Sequence, residues 1–401
     1  MTIHEGVRWA DLFSARTAGE GDDAIARIMA LSTATDLISF SGGFPDPVTV
    51  AAGALPQLLA EILADGGAVA LQYAPTAGLP STRDFLRDRL AAQEGHRPGE
   101  DELMMTSGGI EALGLVATCF LDAGDVAVTE APTYLGALMS FRGQGARIET
   151  VGLDADGMVV EELAGRLAAG LRPKLVYAIP DHQNPAGVTM SAERRSALVA
   201  LARRYGFLVV EDVAYRELGF DGNRLPSLWA EGPDVVLQAG TFSKTFSPGT
   251  RLGWAAGPPA VLARLVVAKQ CTDQCAGALG QRLLEAYGRS GHLDAQVERS
   301  RALYGHRCAL LLAALERHLP PTARWTTPRG GFFSWLTLPP GHDSVALAET
   351  ALAHGVAYVP GVPFFPDGRG TDSLRLSFSR VSDDAIEEGV RRLAALLGQV
   401  P

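Results

Sequence analysis

Short apolar segments alternate with amphipathic, helix-like segments through the middle of this 401-residue chain. The apolar segments are VAVTE (126–130), KLVYAIP (174–180), FLVVEDV (207–213) and VVLQAGTFS (235–243). In the helix-like segment at 191–206, a serine can cap the helix and apolar residues recur at core spacing. Strands that alternate with helices of this length are typical of a mostly parallel sheet, so the sequence predicts an α/β fold.

The last third of the chain has a different pattern, in which long helices flank short apolar runs. The helices are expected at 260–288, 291–318, 343–354 and 382–398. This part reads as a smaller α+β unit, and a helical stretch at 22–31 precedes the Gly/Pro-rich turn GGFPDP (42–47). We therefore expect an N-terminal segment (1–50) that packs with the small domain, a large domain (51–290) and a small C-terminal domain (291–401).

Charge and cysteine content narrow the functional classes. The net charge is −10 and no run of Lys or Arg is present, which argues against nucleic-acid binding. No apolar run reaches the roughly 18 residues of a membrane span, and the N-terminus does not have the pattern of a secretory signal. The four cysteines are too scattered for a disulfide framework or a zinc site. We expect a cytoplasmic protein that binds no nucleic acid, membrane or metal.

Polar residues follow two of the predicted strands. In PDHQNPAGVTM (180–190), Asn184 precedes a proline, which biases it towards an extended conformation, and its side chain could donate to a ligand oxygen. A plain Asn-Pro turn is the alternative. In EDVAYREL (211–218), Asp212 ends an apolar strand, where a buried carboxylate needs a partner, and Tyr215 follows three residues later. Alternatively, Asp212 caps a helix.

The segment TFSKTFSPGTRLGW (241–254) places Lys244 after a third strand, where open α/β sheets bind ligands. The hydroxyls of the segment and Arg251 suit a phosphate group. A lysine that is desolvated near another cation has a lowered pKa and can act as an amine nucleophile. The alternative is a solvated lysine on a surface loop.

Two further elements add to a ligand site. The glycines of TSGGIEAL (106–113) open a helix, where backbone N–H groups favour phosphate. Tyr134 in EAPTYLGAL (130–138) could cover a flat ring or could fill the core. A phosphate site, a reactive lysine, an acid, a phenol and an aromatic cover together suit pyridoxal 5'-phosphate, which needs a lysine, an acidic partner for its ring nitrogen and an anchored phosphate.

The sequence resembles the fold-type-I pyridoxal-phosphate-dependent aminotransferases (class I/II, aspartate aminotransferase superfamily). It is most similar to the branch of 2-aminoadipate, kynurenine and valine-type aminotransferases, which includes enzyme-like domains of some transcription regulators. The resemblance implies a large cofactor domain with a mostly parallel, seven-stranded-type sheet between helices, and a smaller α+β domain. The matching motifs are ISFSGGFPDP (38–47), LQYAPTAGLPSTRDFL (71–86), EAPTYLGAL (130–138), QNPAGVTMS (183–191), TFSKTFSPGTRLGW (241–254) and LRLSFS (374–379).

The resemblance also implies roles for single residues. Lys244 forms the Schiff base (aldimine) with the cofactor and shuttles the α-proton, Asp212 pairs with the pyridinium nitrogen, and Tyr134 stacks on the ring. These three are the expected catalytic residues. The other expected cofactor contacts are Asn184 and Tyr215 at the phenolic oxygen, Thr241, Ser243, Arg251 and the turn Gly108–Gly109–Ile110 at the phosphate, and Tyr73, which reaches the phosphate of a neighbouring subunit and implies a homodimer with active sites at the subunit interface.

Substrate binding is implied by the same resemblance. Arg375 is similar to the arginine that takes the α-carboxylate, with Gly43 and Asn184 close by. The chain departs from its relatives in the phosphate turn, which reads GGIE (108–111) in place of Gly-Ser-Gln-Gln. It also has Ala26 where 2-aminoadipate enzymes carry an arginine for a distal carboxylate, so no preference for dicarboxylic substrates is predicted.

Three functions are compatible with these residues. The leading one is an aminotransferase that moves the amino group of an α-amino acid to a 2-oxo acid. The same scaffold supports β- or γ-elimination, replacement, or cyclisation of S-adenosylmethionine. The third is a domain that senses the cofactor without turning over a substrate. Against this function, we expect no DNA-binding domain ahead of residue 1. The particular amino acid and acceptor are not predicted, and His182 could either contact a ligand or serve as a structural hydrogen-bonder.

Overall fold

The computed structural model describes residues 8–14, 24–33 and 36–398. Helices and strands alternate along most of these ranges. The helices are α1 (Ala24–Thr33), α2 (Leu55–Ala70), α3 (Pro80–Glu94), α4 (Gly109–Phe120), α5 (Leu135–Arg142), α6 (Val160–Ala168), α7 (Ala192–Tyr205), α8 (Leu228–Glu231), α9 (Pro259–Gln270), α10 (Ala278–Arg289), α11 (His292–His318), α12 (Ser344–Ala353) and α13 (Asp383–Leu397). The strands are β1 (Ile38–Ser39), β2 (Leu103–Thr106), β3 (Val126–Ala131), β4 (Arg147–Asp154), β5 (Gly157–Met158), β6 (Leu175–Ala178), β7 (Leu208–Asp212), β8 (Val236–Thr241), β9 (Gly253–Ala256), β10 (Arg324–Trp325), β11 (Phe333–Thr337), β12 (Val356–Ala357), β13 (Val359–Pro360) and β14 (Ser373–Ser377).

The large sheet has the strand order β2-β9-β8-β7-β6-β3-β4-β5. Its central strands β8, β7, β6, β3 and β4 run parallel, whereas β9 is antiparallel to both of its neighbours. The two-residue strand β5 adds a short antiparallel edge to the predicted seven strands. The α/β fold predicted from the alternating pattern is therefore confirmed.

Strand β7 shows why an unbroken apolar run becomes a central strand. Its side chains alternate between two cores, because Leu208 and Val210 pack in one apolar cluster and Val209 packs in another on the opposite face. The preceding helix α7 begins where Ser191 Oγ accepts the N–H of Arg194 and ends at Gly206, which has φ +71°. Helices thus cover both faces of the sheet.

The helix predicted at 260–288 is wrong as a single element, because α9 ends at Gln270 and α10 begins at Ala278. The break contains Gln274 with φ +72°, a backbone conformation that an α-helix does not allow. Apolar spacing continues through both helices, so the break has no signature in the hydrophobic pattern. It brings Asp273 back against the end of α9, which bears on the site described below.

A second unit follows α10. Its sheet has the order β10-β11-β14-β13, and the sheet packs with α11 and α13 around a separate apolar cluster that includes Phe332, Leu336 and Leu374. Strand β1 pairs in parallel with β12 of this unit. That pairing supports the expectation that the N-terminal segment packs with the small domain, while the predicted domain boundaries stay predictions.

Helix α1 covers most of the helical stretch predicted at 22–31, and Asp22 lies outside the described residues. Among the helices listed above, none is both long and apolar enough to cross a membrane.

Candidate active site

Three neighbouring parallel strands end at one edge of the large sheet. The loop after β6 carries Asn184, β7 ends at Asp212 and β8 ends at Thr241. Lys244 follows β8 in a turn. Ligands of open α/β sheets bind outside the carboxyl ends of the strands, so this edge is the candidate site.

Lys244 is half-buried at this edge. Its Nζ donates a hydrogen bond to the carbonyl oxygen of Gly43 at 2.8 Å. The same atom lies 5.9 Å from the ring centres of Tyr215 and of Phe332. The amine is therefore enclosed by a backbone carbonyl and aromatic faces.

The surroundings of Lys244 weaken its hold on a proton. Burial is the main cause, and the positive charges of Arg375 and Arg251 add to it, although Asp212 opposes them. Together they lower the pKa of Lys244 to about 8. A lysine with this pKa has a substantial neutral fraction near pH 7–8 and can act as a nucleophile or a base.

Asp212 is held by two donors. Its Oδ2 accepts the hydroxyl of Tyr177 at 2.8 Å, and its Oδ1 accepts the N–H of Ala214 at 3.1 Å. Burial raises the pKa of Asp212, and these hydrogen bonds and Lys244 act against the rise. Tyr177 was not predicted as a site residue, because it lies inside an apolar strand, where the only signal is that a buried hydroxyl needs a partner.

Gly108 and Gly109 begin helix α4 beside the end of β8. Gly108 has φ +98°, and a Cβ at this position would lie 2.8 Å from Nη2 of Arg251. A Cβ on Gly109 would lie 3.5 Å from Cβ of Thr241, whose hydroxyl donates to Ser243 Oγ at 3.0 Å. Helix-start amides, two hydroxyls and a guanidinium thus lie together, a donor set that suits a tetrahedral anion.

Arg375 is a buried guanidinium on β14. Its Nη1 donates to Asn184 Oδ1 at 2.9 Å and its Nη2 to the carbonyl of Ser41 at 2.7 Å. The group stacks over Phe333 at 4.2 Å and Phe364 at 5.0 Å. Its Nε, also buried, finds no hydrogen-bond acceptor within the described ranges. Burial lowers the pKa of Arg375 to about 10, so the guanidinium stays charged at neutral pH. Its hydrogen-bond partners are an amide oxygen and a backbone carbonyl, and neither is an anion.

Two phenols border the same space. Tyr134 precedes α5, and a Cβ on Gly136 would lie 2.6 Å from its ring, so only a glycine leaves room for the ring there. Tyr215 is buried. Burial raises the pKa of both tyrosines, and both pKa values also respond to the charges of Asp212 and Arg375.

Tyr73, Ile110 and Ala26 do not take part in these contacts, and neither does Arg27, which follows Ala26 in the sequence. Tyr73 has 78% of its surface exposed and Ile110 has 41%. Ala26 and Arg27 are exposed on α1. Sequence reasoning assigned Tyr73 to the site of a neighbouring subunit, and that assignment stays a prediction.

His182 belongs to a different part of the surface. It lines a cleft of about 800 Å³ whose other lining residues include Arg224 and Arg329 but none of the predicted site residues. Its Nδ1 lies 3.3 Å from the hydroxyl of Thr189. This hydrogen bond supports the structural role rather than the ligand contact.

The charges of the site do not balance. Lys244, Arg251 and Arg375 form no ion pair with any carboxylate of the described residues, and Asp212 is the acidic group that most affects the pKa of Lys244. The charge of Arg375 is buried without an anionic partner, which is costly, and Arg251 adds an exposed cation beside the glycine turn, so this arrangement fits a ligand with two separated anionic groups. Across residues 8–14, 24–33 and 36–398, no group of three or more His, Cys, Asp or Glu residues could hold a metal ion.

The sequence profile of one family, described as "Aminotransferase class I and II", matches residues 35–393. The chain is 38% identical to aromatic-amino-acid aminotransferase 1 of Thermococcus litoralis, an alignment that covers 95% of this chain and 93% of that protein. It is also 38% identical to the 2-aminoadipate transaminase of Thermus thermophilus, over 97% of both chains.

Solved structures agree with these relatives. A kynurenine aminotransferase of Pyrococcus horikoshii, in complex with PMP, superposes with a TM-score of 0.93 at 38% identity and covers 98% of both chains. The α-aminoadipate aminotransferase of Thermus thermophilus, complexed with N-(5'-phosphopyridoxyl)-L-leucine, gives a TM-score of 0.90 at 37% identity and the same coverage.

Proposed function

This chain belongs to the family of class I and II aminotransferases, and from that premise we propose that its site moves the amino group of an α-amino acid to a 2-oxo acid with pyridoxal phosphate as cofactor. The observation that carries the proposal is the position of Lys244. Its amine has a pKa of about 8 and lies among the unpaired cations Arg251 and Arg375. Of the two anionic groups that the site would bind, one would be the cofactor phosphate and the other the substrate carboxylate.

The residues present fit the cofactor. The phosphate fits the donors of Thr241, Ser243 and Arg251 and the amides of the glycine turn, where a Cβ on Gly108 would intrude on the guanidinium. When bound, pyridoxal phosphate supplies an aldehyde that condenses with amines and a ring that takes up the electrons released at the substrate α-carbon. Asp212 would pair with the ring nitrogen, and its negative charge would favour the protonated, electron-withdrawing form of the ring.

The remaining ring contacts come from amide and phenol groups. The oxygen of Asn184 accepts from Arg375, which leaves the amide nitrogen free to donate to the phenolic oxygen of the ring. Tyr215 would donate to the same oxygen, and Tyr134 would cover the ring. The amine of Lys244 would be the base that takes the proton from the substrate α-carbon.

Arg375 binds the α-carboxylate of the substrate as a bidentate pair. Its stacking on Phe333 and Phe364 holds the planar guanidinium in place before the substrate arrives. Gly43 lies against the same aromatic surface, where a Cβ would come 2.6 Å from the Phe333 ring. The carboxylate therefore enters a narrow, preformed slot.

The aromatic groups around Arg375 favour substrates with apolar or aromatic side chains. Phe364 belongs to an apolar cluster with Leu135 and Trp335, and Ile28 of α1 packs against it. Arg27 is exposed and does not supply a buried cation for a distal carboxylate. The names of the aromatic-amino-acid and kynurenine relatives agree with this choice.

We also propose that the enzyme is a homodimer. Tyr73 and its neighbour Leu71 are large apolar side chains with 78% and 71% of their surfaces exposed, and a second copy of the chain would cover them. Tyr73 would then reach the phosphate of the partner's cofactor.

The four cysteines are free, which supports a reducing compartment such as the cytoplasm.

Elimination, replacement and cyclisation are not favoured, because the relatives that match this chain over nearly their full lengths are named aminotransferases.

The experiment that tests the proposed function is reduction of the holoenzyme with borohydride, followed by peptide mapping. The proposal predicts that the pyridoxyl group is found on Lys244 and that phenylalanine or leucine is turned over with a 2-oxo acid faster than 2-aminoadipate. A label on another lysine, or no bound cofactor, would contradict the proposal.

A further inference from the structure

All three polar groups of Ser107, the residue before the glycine turn, are occupied. Its N–H donates to Glu111 Oε2 at 2.5 Å, and its hydroxyl donates to Asp273 Oδ2 at 2.5 Å. Its carbonyl accepts a long hydrogen bond from Arg251 Nη2 at 3.5 Å. Ser107 is thus linked at once to helix α4, to the break between α9 and α10, and to the arginine of the anion site.

Lys269 joins the two carboxylates that hold Ser107. It is the penultimate residue of α9, and its side chain is completely buried. Its Nζ lies 2.7 Å from both oxygens of Glu111, and 2.7 and 2.8 Å from the oxygens of Asp273. We call Ser107, Glu111, Lys269 and Asp273 the Lys269 network.

The ammonium of Lys269 is what allows two carboxylates to meet close to an anion-binding turn. Without it, Glu111 and Asp273 would repel each other and would also repel a phosphate at the adjacent amides. Burial already raises the pKa of Glu111, while hydrogen bonds from Lys269 and Ser107 act against the rise. The lysine brings the formal charge of the three ionised groups from −2 to −1.

The turn depends on backbone groups to an unusual degree. Gly109 carries no side chain and Ile110 carries an apolar one, so neither can donate a side-chain hydrogen bond to a phosphate. The first N–H groups of a helix have no intrahelical acceptor and are available to an anion. Their position relative to Arg251 then decides how well a phosphate is held, and Ser107 is the residue that links the two.

We infer that Lys269 is a positioning residue for the cofactor phosphate: through Glu111 and Asp273 it fixes Ser107, and through Ser107 it fixes the amides of Gly109 and Ile110 against Arg251. The inference rests on the proposed function and deepens it, since it explains how this chain binds the phosphate without the side chains of its relatives' turn. Lys269 itself does not contact the cofactor.

A matched pair at Glu111 tests the inference without removing the buried ammonium. Glu111→Gln keeps an oxygen acceptor for the N–H of Ser107, whereas Glu111→Ala removes it. The measurements are the dissociation constant of pyridoxal phosphate from fluorescence titration of the apoprotein, and the ³¹P chemical shift of the bound phosphate. We expect the dissociation constant to stay within about threefold of wild type for Glu111→Gln and to rise about tenfold or more for Glu111→Ala, because a displaced turn would lose the equivalent of one hydrogen bond to the charged phosphate. We also expect a changed ³¹P shift in Glu111→Ala alone.

Lys269→Met provides the second test. It should raise the dissociation constant at least tenfold and should reduce the difference in melting temperature between holoenzyme and apoprotein. If Lys269 only stabilises the fold, both melting temperatures fall together while the dissociation constant and the ³¹P shift stay at the wild-type values, and the inference is overturned. If Lys269→Met does not fold, the Glu111 pair decides: equal affinities for Gln and Ala overturn the inference. Wild-type protein that binds no pyridoxal phosphate would contradict the proposed function itself.

Discussion

Arg375 donates a hydrogen bond from Nη1 to the side-chain oxygen of Asn184 at 2.9 Å. The residue that we assign to the substrate carboxylate therefore sets the orientation of a residue that we assign to the cofactor ring. Because the amide oxygen of Asn184 is already occupied, its nitrogen is left as the donor that a ring oxygen requires. A change at Arg375 should therefore affect both substrate affinity and the spectrum of the bound cofactor.

Arg375→Lys should lower kcat/KM for amino acids by about 100-fold, because a lysine cannot form the bidentate pair or the planar stack on Phe333. The visible absorption maximum of the cofactor should also shift as Asn184 loses its partner. Steady-state kinetics and an absorption spectrum check both effects. Arg369→Lys, at an exposed arginine paired with Asp367, should leave both unchanged. A normal kcat/KM in Arg375→Lys would exclude the assigned role.

Tyr177→Phe should weaken Asp212 as the partner of the ring nitrogen. The hydroxyl of Tyr177 favours the ionised carboxylate, so its loss raises the pKa of Asp212 further. The acidic limb of the pH profile of kcat/KM should then move to higher pH, and kcat at pH 7 should fall about tenfold, an effect within the range for one lost hydrogen bond to a charged group. Tyr205→Phe, at the end of α7, is the control. An unchanged pH profile in Tyr177→Phe would show that the hydroxyl does not act through Asp212.

Gly108→Ala should weaken cofactor binding. Gly108 has φ +98°, and the added Cβ would lie 2.8 Å from the guanidinium of Arg251. Backbone strain of this kind costs about 1–3 kcal/mol, and displacement of Arg251 adds to it, so the dissociation constant of pyridoxal phosphate should rise at least tenfold. Gly165→Ala is a matched control, because a Cβ in that helix meets no atom within 4 Å, and it should be neutral or slightly stabilising. Equal affinity of the two variants for pyridoxal phosphate would contradict the assignment of the glycine turn to phosphate binding.

Lys244→Met should stabilise the apoprotein at neutral pH. The pKa of Lys244 is about 8 in the folded protein and has an ordinary value of 10.5. Below pH 8 the lysine is charged in both states, so the cost of burying the charge is present in full. Between pH 8 and 10.5 only the unfolded chain keeps the proton, so wild-type stability rises with pH relative to the variant. The variant should be more stable by up to about 3 kcal/mol at pH 7, with a gap that closes towards pH 10.5.

Urea unfolding of both apoproteins across this pH range measures the gap. Groups common to both proteins cancel in the difference, which isolates Lys244. A gap that does not depend on pH would mean that the lysine is not desolvated as described.

The residues that could be predicted from the sequence are those with a local signature. Lys244, Asn184 and Asp212 each follow an apolar strand and precede a turn, and parallel strands bring such positions to one edge. The large sheet could be predicted for the same reason, since its central strands are unbroken apolar runs. The local sequence pattern was enough to predict a site residue wherever the order of the parallel strands determines which residues lie next to it.

The residues that were missed depend on contacts between distant segments. Tyr177 is one apolar-strand residue among several until β7 places Asp212 beside it. Lys269 looks like a solvated charge within the helix predicted at 260–288, yet it meets Glu111 across 158 positions of sequence. The break after Gln270 brings Asp273 to the same place, and neither hydrophobic spacing nor charge pattern marks it.

The most direct test of the account is a single-turnover reaction of the holoenzyme with one amino acid in the absence of an acceptor. We predict one equivalent of 2-oxo acid per site, conversion of the bound cofactor to the pyridoxamine form, and reversal of that conversion when a 2-oxo acid is added. Lys244→Ala should give none of these. Release of ammonia with the cofactor left in the pyridoxal form would contradict the account, because the amino group would then have been eliminated rather than transferred.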